Sequence, residues 1–436
     1  MKIGVVGGGL SGFALAYRLA KRGHSVTVVE QAAQPGGLAT WQDHGDFEFD
    51  RYYHVVLPTD RELIGFIQDL GLGSKLRWAT SLTGFFVDRK VYSVSNALEF
   101  LRFKPLSLWS KARLAFTILY CSRVSNWQRL ESITVEDWLI KLSGRSTYEK
   151  LWRPLLLAKL GENYKRVSAV FIWTYIKRMF SARDSSASRE QMGHVEGGYK
   201  TVFTKLIEEI QGSGGQLMLD TSVHAVSPAG SGEEGIRLET SAGDLDFDKV
   251  VFTGPVNVLE KVADPSLVSV ENSGSNVEYL GVQCMALITR QPLTPFYVLN
   301  VADERIPFTG VIGMSSIVDT AETGGHYLTY LPRYMLSTDA LMQQPEEEIQ
   351  AEFLAGLRLI YPDLSDSDIV SSRVYRAFKV QPLQVLGFSS LIPSTDTNHD
   401  SFFVLNTAQF VKNTLNNNEV VRAVDSFLEQ HKDVFH

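Results

Sequence analysis

Gly7, Gly9 and Gly12 stand at G-x-G-x-x-G spacing, and Glu30 follows the last of them by eighteen residues. Each has a physical task. Gly7 permits a tight turn, Gly9 carries no side chain that would hold the backbone away from a pyrophosphate, and Gly12 allows close packing of helix on strand. The exposed N–H groups at a helix N-terminus, here those of Leu10 and Ser11, favour phosphate charge. Glu30 can accept hydrogen bonds from ribose hydroxyls, with Gln31 beside it. The spacing therefore predicts dinucleotide binding. His54, four residues after Asp50 in the run Asp50-Arg51-Tyr52-Tyr53-His54, is a group that can move a proton near neutral pH. The nine histidines show no metal-ligand spacing, and no nucleophile elbow is present.

These residues need elements to hold them. Residues 2–6 read as an apolar strand, 13–22 as a helix and 25–29 as a second strand, a βαβ start. A helix is expected over 60–70, short strands over 83–87 and 90–94, and a mainly helical, basic region from about 98 to 192. Residues 181–189, polar and small, read as a mobile loop. A helix after Gly198 and strands at 216–219, 222–226, 235–240 and 249–253 return the chain to the first pattern, with a hairpin turn over 229–235. Residues 276–334 read as mainly strand. Then come a helix over 345–361, strands at 371–380 and 401–405, and a last amphipathic helix over 419–430. The fold class expected is α/β: a Rossmann-like domain in three pieces, 1–75, 193–275 and 385–436. Its inserted mixed α+β substrate domain is built from 76–192, mainly helical, and 276–384, mainly sheet.

The run Gln34-Pro35-Gly36-Gly37-Leu38, directly after Glu30, resembles the second phosphate-contacting loop of FAD proteins in the amine oxidase, protoporphyrinogen oxidase and phytoene desaturase superfamily. The alternation of segments resembles that superfamily over the full length. The resemblance implies non-covalent FAD, since no cysteine lies in the last third of the chain. It implies a cofactor set of Gly7, Gly9, Leu10, Ser11, Gly12, Glu30, Gln31, Gly36, Gly37, Leu38, Val223, Asn406, Thr414 and Leu415. Val223 would meet the adenine through its main chain. Two departures stand out. Leu38 replaces a frequent Arg, and Asn406-Thr407 replaces a usual Gly-Asp, so amides and hydroxyls must do the work of charged groups. A helix starting near Asn416 would aim its N–H groups at the flavin edge. The resemblance places His54 at the isoalloxazine. It also makes Tyr297, Tyr330, Arg333 and Tyr334 candidates for lining the substrate pocket, the Arg as an anchor for carboxylate or phosphate. His54, Tyr297, Tyr330 and Arg333 are thus the catalytic candidates, and no metal ligand is assigned.

The activity implied is hydride transfer between a small or lipid-like organic substrate and FAD. A second reading, a UDP-galactopyranose-mutase-like isomerase with no net redox, is favoured by His54 and the Gly-Gly-Leu loop and disfavoured by the want of paired arginines for a diphosphate. A third is a flavin-binding accessory protein without turnover. Composition bounds these readings. A net charge of −7 argues against a nucleic-acid partner. Two cysteines fit a reducing, cytoplasmic setting. Between residues 98 and 130 lie six cations and one acid, interleaved with large apolar residues. That segment could rest on the inner face of an anionic membrane as a peripheral contact. Nothing in the sequence fixes an oligomeric state.

Overall fold

The structure is a computed structural model that describes residues 1–181, 190–230, 235–268 and 274–436. Its first sheet is parallel and five-stranded, in the order Phe402–Val404, Lys249–Phe252, Lys2–Val6, Ser25–Val29, Gln216–Met218. Val5 pairs with Val251 on one side and Val28 on the other. Such a strand is covered on both faces, which is why Ile3, Val5, Val26 and Val28 read as continuous apolar runs rather than as an alternation. The helices Leu10–Lys21, Gly198–Gly212 and Asn417–Gln430 share one core with it through Phe13, Phe203, Val421 and Phe427. Each such side chain contributes about 1.5–3 kcal/mol by burial.

All five strands run the same way, so the loops following Val6, Val29, Phe252 and Val404 line up along one edge of the sheet. That edge is where ligands bind in folds of this type. Beside the sheet stands a separate three-stranded antiparallel one, Val223–Pro228, Ile236–Thr240 and Gly243–Phe247. Within its first turn, residues 231–234 lie outside the described residues, as do 182–189 of the segment read as a mobile loop.

The larger sheet has seven strands, in the order Ile369–Pro382, Tyr279–Thr289, Tyr327–Leu336, Gly310–Gly313, Val298–Val301, Thr83–Val87, Lys90–Ser93. One face packs on the helix Glu346–Ile360 through Leu331, Phe353 and Leu357. The other face carries Tyr297, Tyr330 and Tyr334 and meets the loop that holds Phe49, Tyr53 and Leu57. The stretch 76–192 opens with three strands. Thr83–Val87 and Lys90–Ser93, both expected, join the seven-stranded sheet, while Leu76–Thr80, which was not expected, pairs with Gln191–Val195 at its close. Its helices, from Ala97–Arg102 to Ala169–Ser181, gather round Trp138, Tyr148, Trp152 and Trp173.

Candidate functional site

At the phosphate end each glycine has a distinct environment. Gly7 takes φ +115, and a Cβ on Gly12 would stand 2.0 Å from the Gly7 carbonyl oxygen. Gly9 caps the first helix, and a Cβ there would meet nothing within 4 Å. The glycine at that position is therefore not demanded by protein packing, whereas an approaching phosphate would demand it. The first helical bond runs from Phe13 N–H to Gly9 O at 3.0 Å. The amides of Leu10, Ser11 and Gly12 come before it and have no carbonyl one turn back. The second loop closes over this end. Gly36 N–H donates to Gly8 O at 2.8 Å, and Gly37, at φ +57, packs against Gly9.

Glu30 is more engaged than its sequence position suggested. Its carboxylate accepts from Gly8 N–H at 2.6 Å and Ala32 N–H at 2.8 Å, so it holds the phosphate loop as well as offering lone pairs outward. Its backbone pairs with Met218 and Thr221, which brings the turn leading to Val223 alongside. Gln31 is exposed and Leu38 half-buried at the rim.

Asn406 follows the edge strand Phe402–Val404 at the same end of the sheet. It is buried, its Oδ1 accepts from Ala408 N–H at 2.9 Å, and its Nδ2 has no partner among the described residues. A buried amide donor left open costs about 1–3 kcal/mol unless a ligand takes it. The Gly9 cradle and this open donor fit FAD's pyrophosphate and its neighbouring polar groups. Asn416 caps the helix Asn417–Gln430 by accepting from Glu419 N–H, and its Nδ2 bonds the carbonyl and hydroxyl of buried Thr414. Leu415 lies between them, half-buried.

The chemistry end is organised on Asp50. Its Oδ1 accepts from Tyr199 N–H at 2.8 Å, and Gly198, at φ +68, leaves room for that carboxylate. From the other sheet, the hydroxyl of fully buried Tyr330 donates to the Asp50 carbonyl. His54 Nδ1 stands 3.4 Å from Asp50 Oδ2 without hydrogen-bond alignment, so this nitrogen has no hydrogen-bond partner among the described residues. The imidazole packs edge-on to Tyr199 at 5.1 Å. It lines a narrow cleft, with room for no more than about one water (about 10 Å³), together with Phe49, His194 and Met314. There His194 Nε2 pairs with Glu322 at 2.9 Å.

Next to His54, Tyr53 and Tyr334 share a hydrogen bond of 2.6 Å between their hydroxyls. The Tyr53 ring lies 6.3 Å from that of Tyr330, and Tyr297 is buried in the same cluster. Burial pushes the phenols of Tyr53, Tyr297, Tyr330 and Tyr334 well above their ordinary range, and that of Tyr175 up to about 12. They remain neutral hydrogen-bonding groups at any physiological pH.

Arg333 is not with them. Strand side chains alternate faces, so Tyr330 and Tyr334 share one side and Arg333 takes the other. There its guanidinium is taken up by Gln283 at 2.6 and 2.8 Å, Gln344 at 2.8 Å and Glu352 at 2.8 Å. It braces the sheet against the helix behind it. Asp50, Tyr53 and Lys159 were not among the candidates. Lys159 carried a signal, as a lone cation in the apolar run Leu155-Leu156-Leu157-Ala158-Lys159-Leu160.

The glycine-bearing end of a five-stranded parallel sheet, with a loop that also touches a tyrosine-bearing seven-stranded sheet, is the arrangement of an FAD-binding flavoprotein. The chain belongs to the flavin containing amine oxidoreductase family, whose model matches residues 10–384. It is 25% identical over 308 residues to protoporphyrinogen oxidase 2, chloroplastic/mitochondrial, of Arabidopsis thaliana. That match spans 59% of this chain and 58% of the relative, so less than two thirds of the relative's length is covered. Among solved structures, a protoporphyrinogen oxidase candidate from Exiguobacterium sp. 255-15 has a TM-score of 0.76 at 18% identity, covering 99% of this chain and 98% of that one. Putrescine oxidase bound to putrescine gives 0.75 at 16%, with 99% of each chain covered. Reduced UDP-galactopyranose mutase gives 0.71 at 15%, covering 100% and 94%. At these identities the likeness to solved structures is one of fold. The cofactor is FAD, as the glycines at 36 and 37 led one to expect.

Proposed function

We propose that this protein is an FAD-dependent oxidoreductase that oxidises or reduces a small or lipid-like organic substrate at a C–H, C–N or C=C centre. The observation that carries the proposal is the position of Asp50. One loop is gripped both by the helix at the nucleotide end, through Tyr199, and by the second sheet, through Tyr330. On this reading His54 and Tyr53, carried by that loop, stand between the dinucleotide and the substrate. When bound, FAD supplies a hydride acceptor or donor. The chain's own part is to seat the pyrophosphate on Leu10, Ser11 and Gly12, to hold a proton at His54 Nδ1, and to wall the chamber with neutral tyrosines that exclude water. Acid treatment of the purified protein should release FAD into the supernatant. Flavin reduction should then be followed anaerobically against amine, porphyrinogen-type and isoprenoid substrates. Protein that neither holds nor takes up FAD would overturn the proposal.

The mutase reading rests on the shared fold with reduced UDP-galactopyranose mutase and on His54. It requires turnover only after prior reduction, with no net consumption of reductant. No helix among the described residues is long and apolar enough to cross a membrane. We infer instead that the face bearing Leu101, Leu108 and Trp109 rests on an anionic lipid surface.

A further inference from the structure

We propose that Lys159 is the anion-recognition group of the substrate chamber, its ammonium taking a carboxylate or phosphate carried by the substrate beside the Tyr53–Tyr334 pair. The inference rests on the reading above, in which that chamber adjoins the flavin. Lys159 belongs to the helix Arg153–Leu160, which packs against the strand Tyr327–Leu336. Its Nζ lies 3.1 Å from the centroid of the Tyr334 ring. That ring's hydroxyl is bonded to Tyr53, the neighbour of His54. Lys159, Tyr53, Tyr175 and Tyr334 all sit deep in the protein yet keep solvent-accessible surface. They border the Tyr297–Tyr330 core at a place that solvent reaches, and it is there that we place the substrate chamber.

What distinguishes Lys159 is the want of a counter-charge. A deeply placed ammonium is costly unless paired, and among the described residues no carboxylate lies within ion-pair distance of it. The charged groups on the elements round it are engaged elsewhere. Arg153 pairs with Glu304, Lys165 with Glu162, Arg166 with Glu278, Arg178 with Asp60 and Arg333 with Glu352. The group that faces Lys159 is the Tyr334 phenol; behind it stand Tyr53, bonded to the Tyr334 hydroxyl, and Tyr175 on the helix Ala169–Ser181, whose hydroxyl is bonded to Gln381. The π face of Tyr334 attracts the cation but cannot neutralise it. Desolvation accordingly pulls the amine down to about 7, and an anion delivered by the substrate would restore the charge. A purely structural lysine would gain nothing from standing in this place, since a Met would fill the same volume without the penalty.

The test uses the FAD-loaded protein and the flavin absorbance spectrum, titrated with benzoate, with phenyl phosphate and with benzyl alcohol as the uncharged counterpart. Lys159→Met should weaken both anions by about 10-fold or more, the range expected for a hydrogen bond to a charged group, and leave benzyl alcohol unchanged. The tighter of the two anions identifies the substituent. Wild-type affinity for the anions should fall as pH rises past about 7. Lys159→Arg should retain anion binding and lose that pH dependence. Three results overturn the inference alone: loaded wild-type protein that responds to neither anion, a Met variant that binds all three probes like wild type, and a Met variant that loses all three together. Protein that cannot be loaded with flavin overturns the functional reading and this inference with it.

Discussion

At the scale of single residues, Gly9 and Gly12 separate ligand constraint from fold constraint. Both are glycines of one motif, yet a side chain on Gly9 would enter open space while one on Gly12 would strike the Gly7 carbonyl. Gly9→Val should therefore fold with a near wild-type melting temperature and fail to retain FAD. Gly12→Ala should melt earlier, with a loss of about 1–3 kcal/mol typical of overpacking. Equal flavin content in the Gly9 variant and wild type would remove the pyrophosphate from this loop. His54 is tested by the proton it would hold. His54→Ala should keep FAD bound and slow flavin reduction by about 10²–10⁴-fold, and stopped-flow traces unchanged at every pH would leave it a structural residue. Lys159 also makes a stability statement. Its amine titrates near 7 when folded against 10.5 ordinarily, so between those values the unfolded chain binds the extra proton and stability rises with pH. The gain is lost as pH falls through about 7. Lys159→Met should raise the melting temperature at neutral pH and flatten this slope between pH 7 and 10; a parallel pair of melting curves would contradict it.

Secondary-structure elements were more legible in the sequence than the contacts between them. The strands Lys2–Val6 and Ser25–Val29, the helix Glu346–Ile360 and the helix Asn417–Gln430 lie within a few residues of their expected places. Their apolar periodicity is strong and their caps are local. Arg333 failed for the opposite reason. A sequence run of Tyr330, Arg333 and Tyr334 reads as one aromatic, basic patch, and only the strand's two-residue alternation sends the Arg away from the tyrosines. Asp50 was hidden because its partners, Tyr199 and Tyr330, lie 149 and 280 residues away. The last helix allows an element-scale prediction. Asn416→Ala removes the cap and should cost about 1 kcal/mol; Asn416→Asp keeps the cap oxygen but loses the Nδ2 donor to Thr414. An aspartate there adds negative charge at the helix end expected to face the flavin. It should shift the flavin potential to more negative values, as read by dye-equilibrated reduction, while the melting temperature falls by no more than it does in Asn416→Ala. An unaltered potential would place that helix end away from the flavin.

At the scale of the whole molecule, the helical region turns an apolar face outward. Leu108 and Trp109 are 74% and 73% exposed, and Leu98, Leu101 and Phe116 are each more than half exposed. Phe116 and Tyr120 stack on each other one turn apart on that face. Exposed apolar residues gathered on one helical region are the kind of surface that interaction sites use. The charge around them is what bears on the proposed lipid partner. Lys111 and Arg113 are used internally, donating to Leu101 O and to the carbonyls of Lys141 and Leu142. The cations left at the surface are Arg102, Lys104, Arg123 and Arg129. The acids are withdrawn, with Glu99 bonded to Ser93 and Ser95 and Glu131 buried on Ser389. On a chain of net charge −7 this is a local positive rim around exposed Trp and Leu, the arrangement that suits an anionic bilayer interface. Each surface cation adds about 1 kcal/mol there. Sedimentation with vesicles containing anionic lipid should carry the protein down at low salt and release it as salt screens the charges. Changing Leu108 and Trp109 to Ser, or Arg102, Lys104 and Arg123 to Glu, should abolish sedimentation while FAD content stays that of wild type. Protein that remains in the supernatant with anionic vesicles at low salt contradicts the surface assignment. So does a wild-type dimer that the Ser variant converts to monomer, since the face would then be covered by a second copy of the chain.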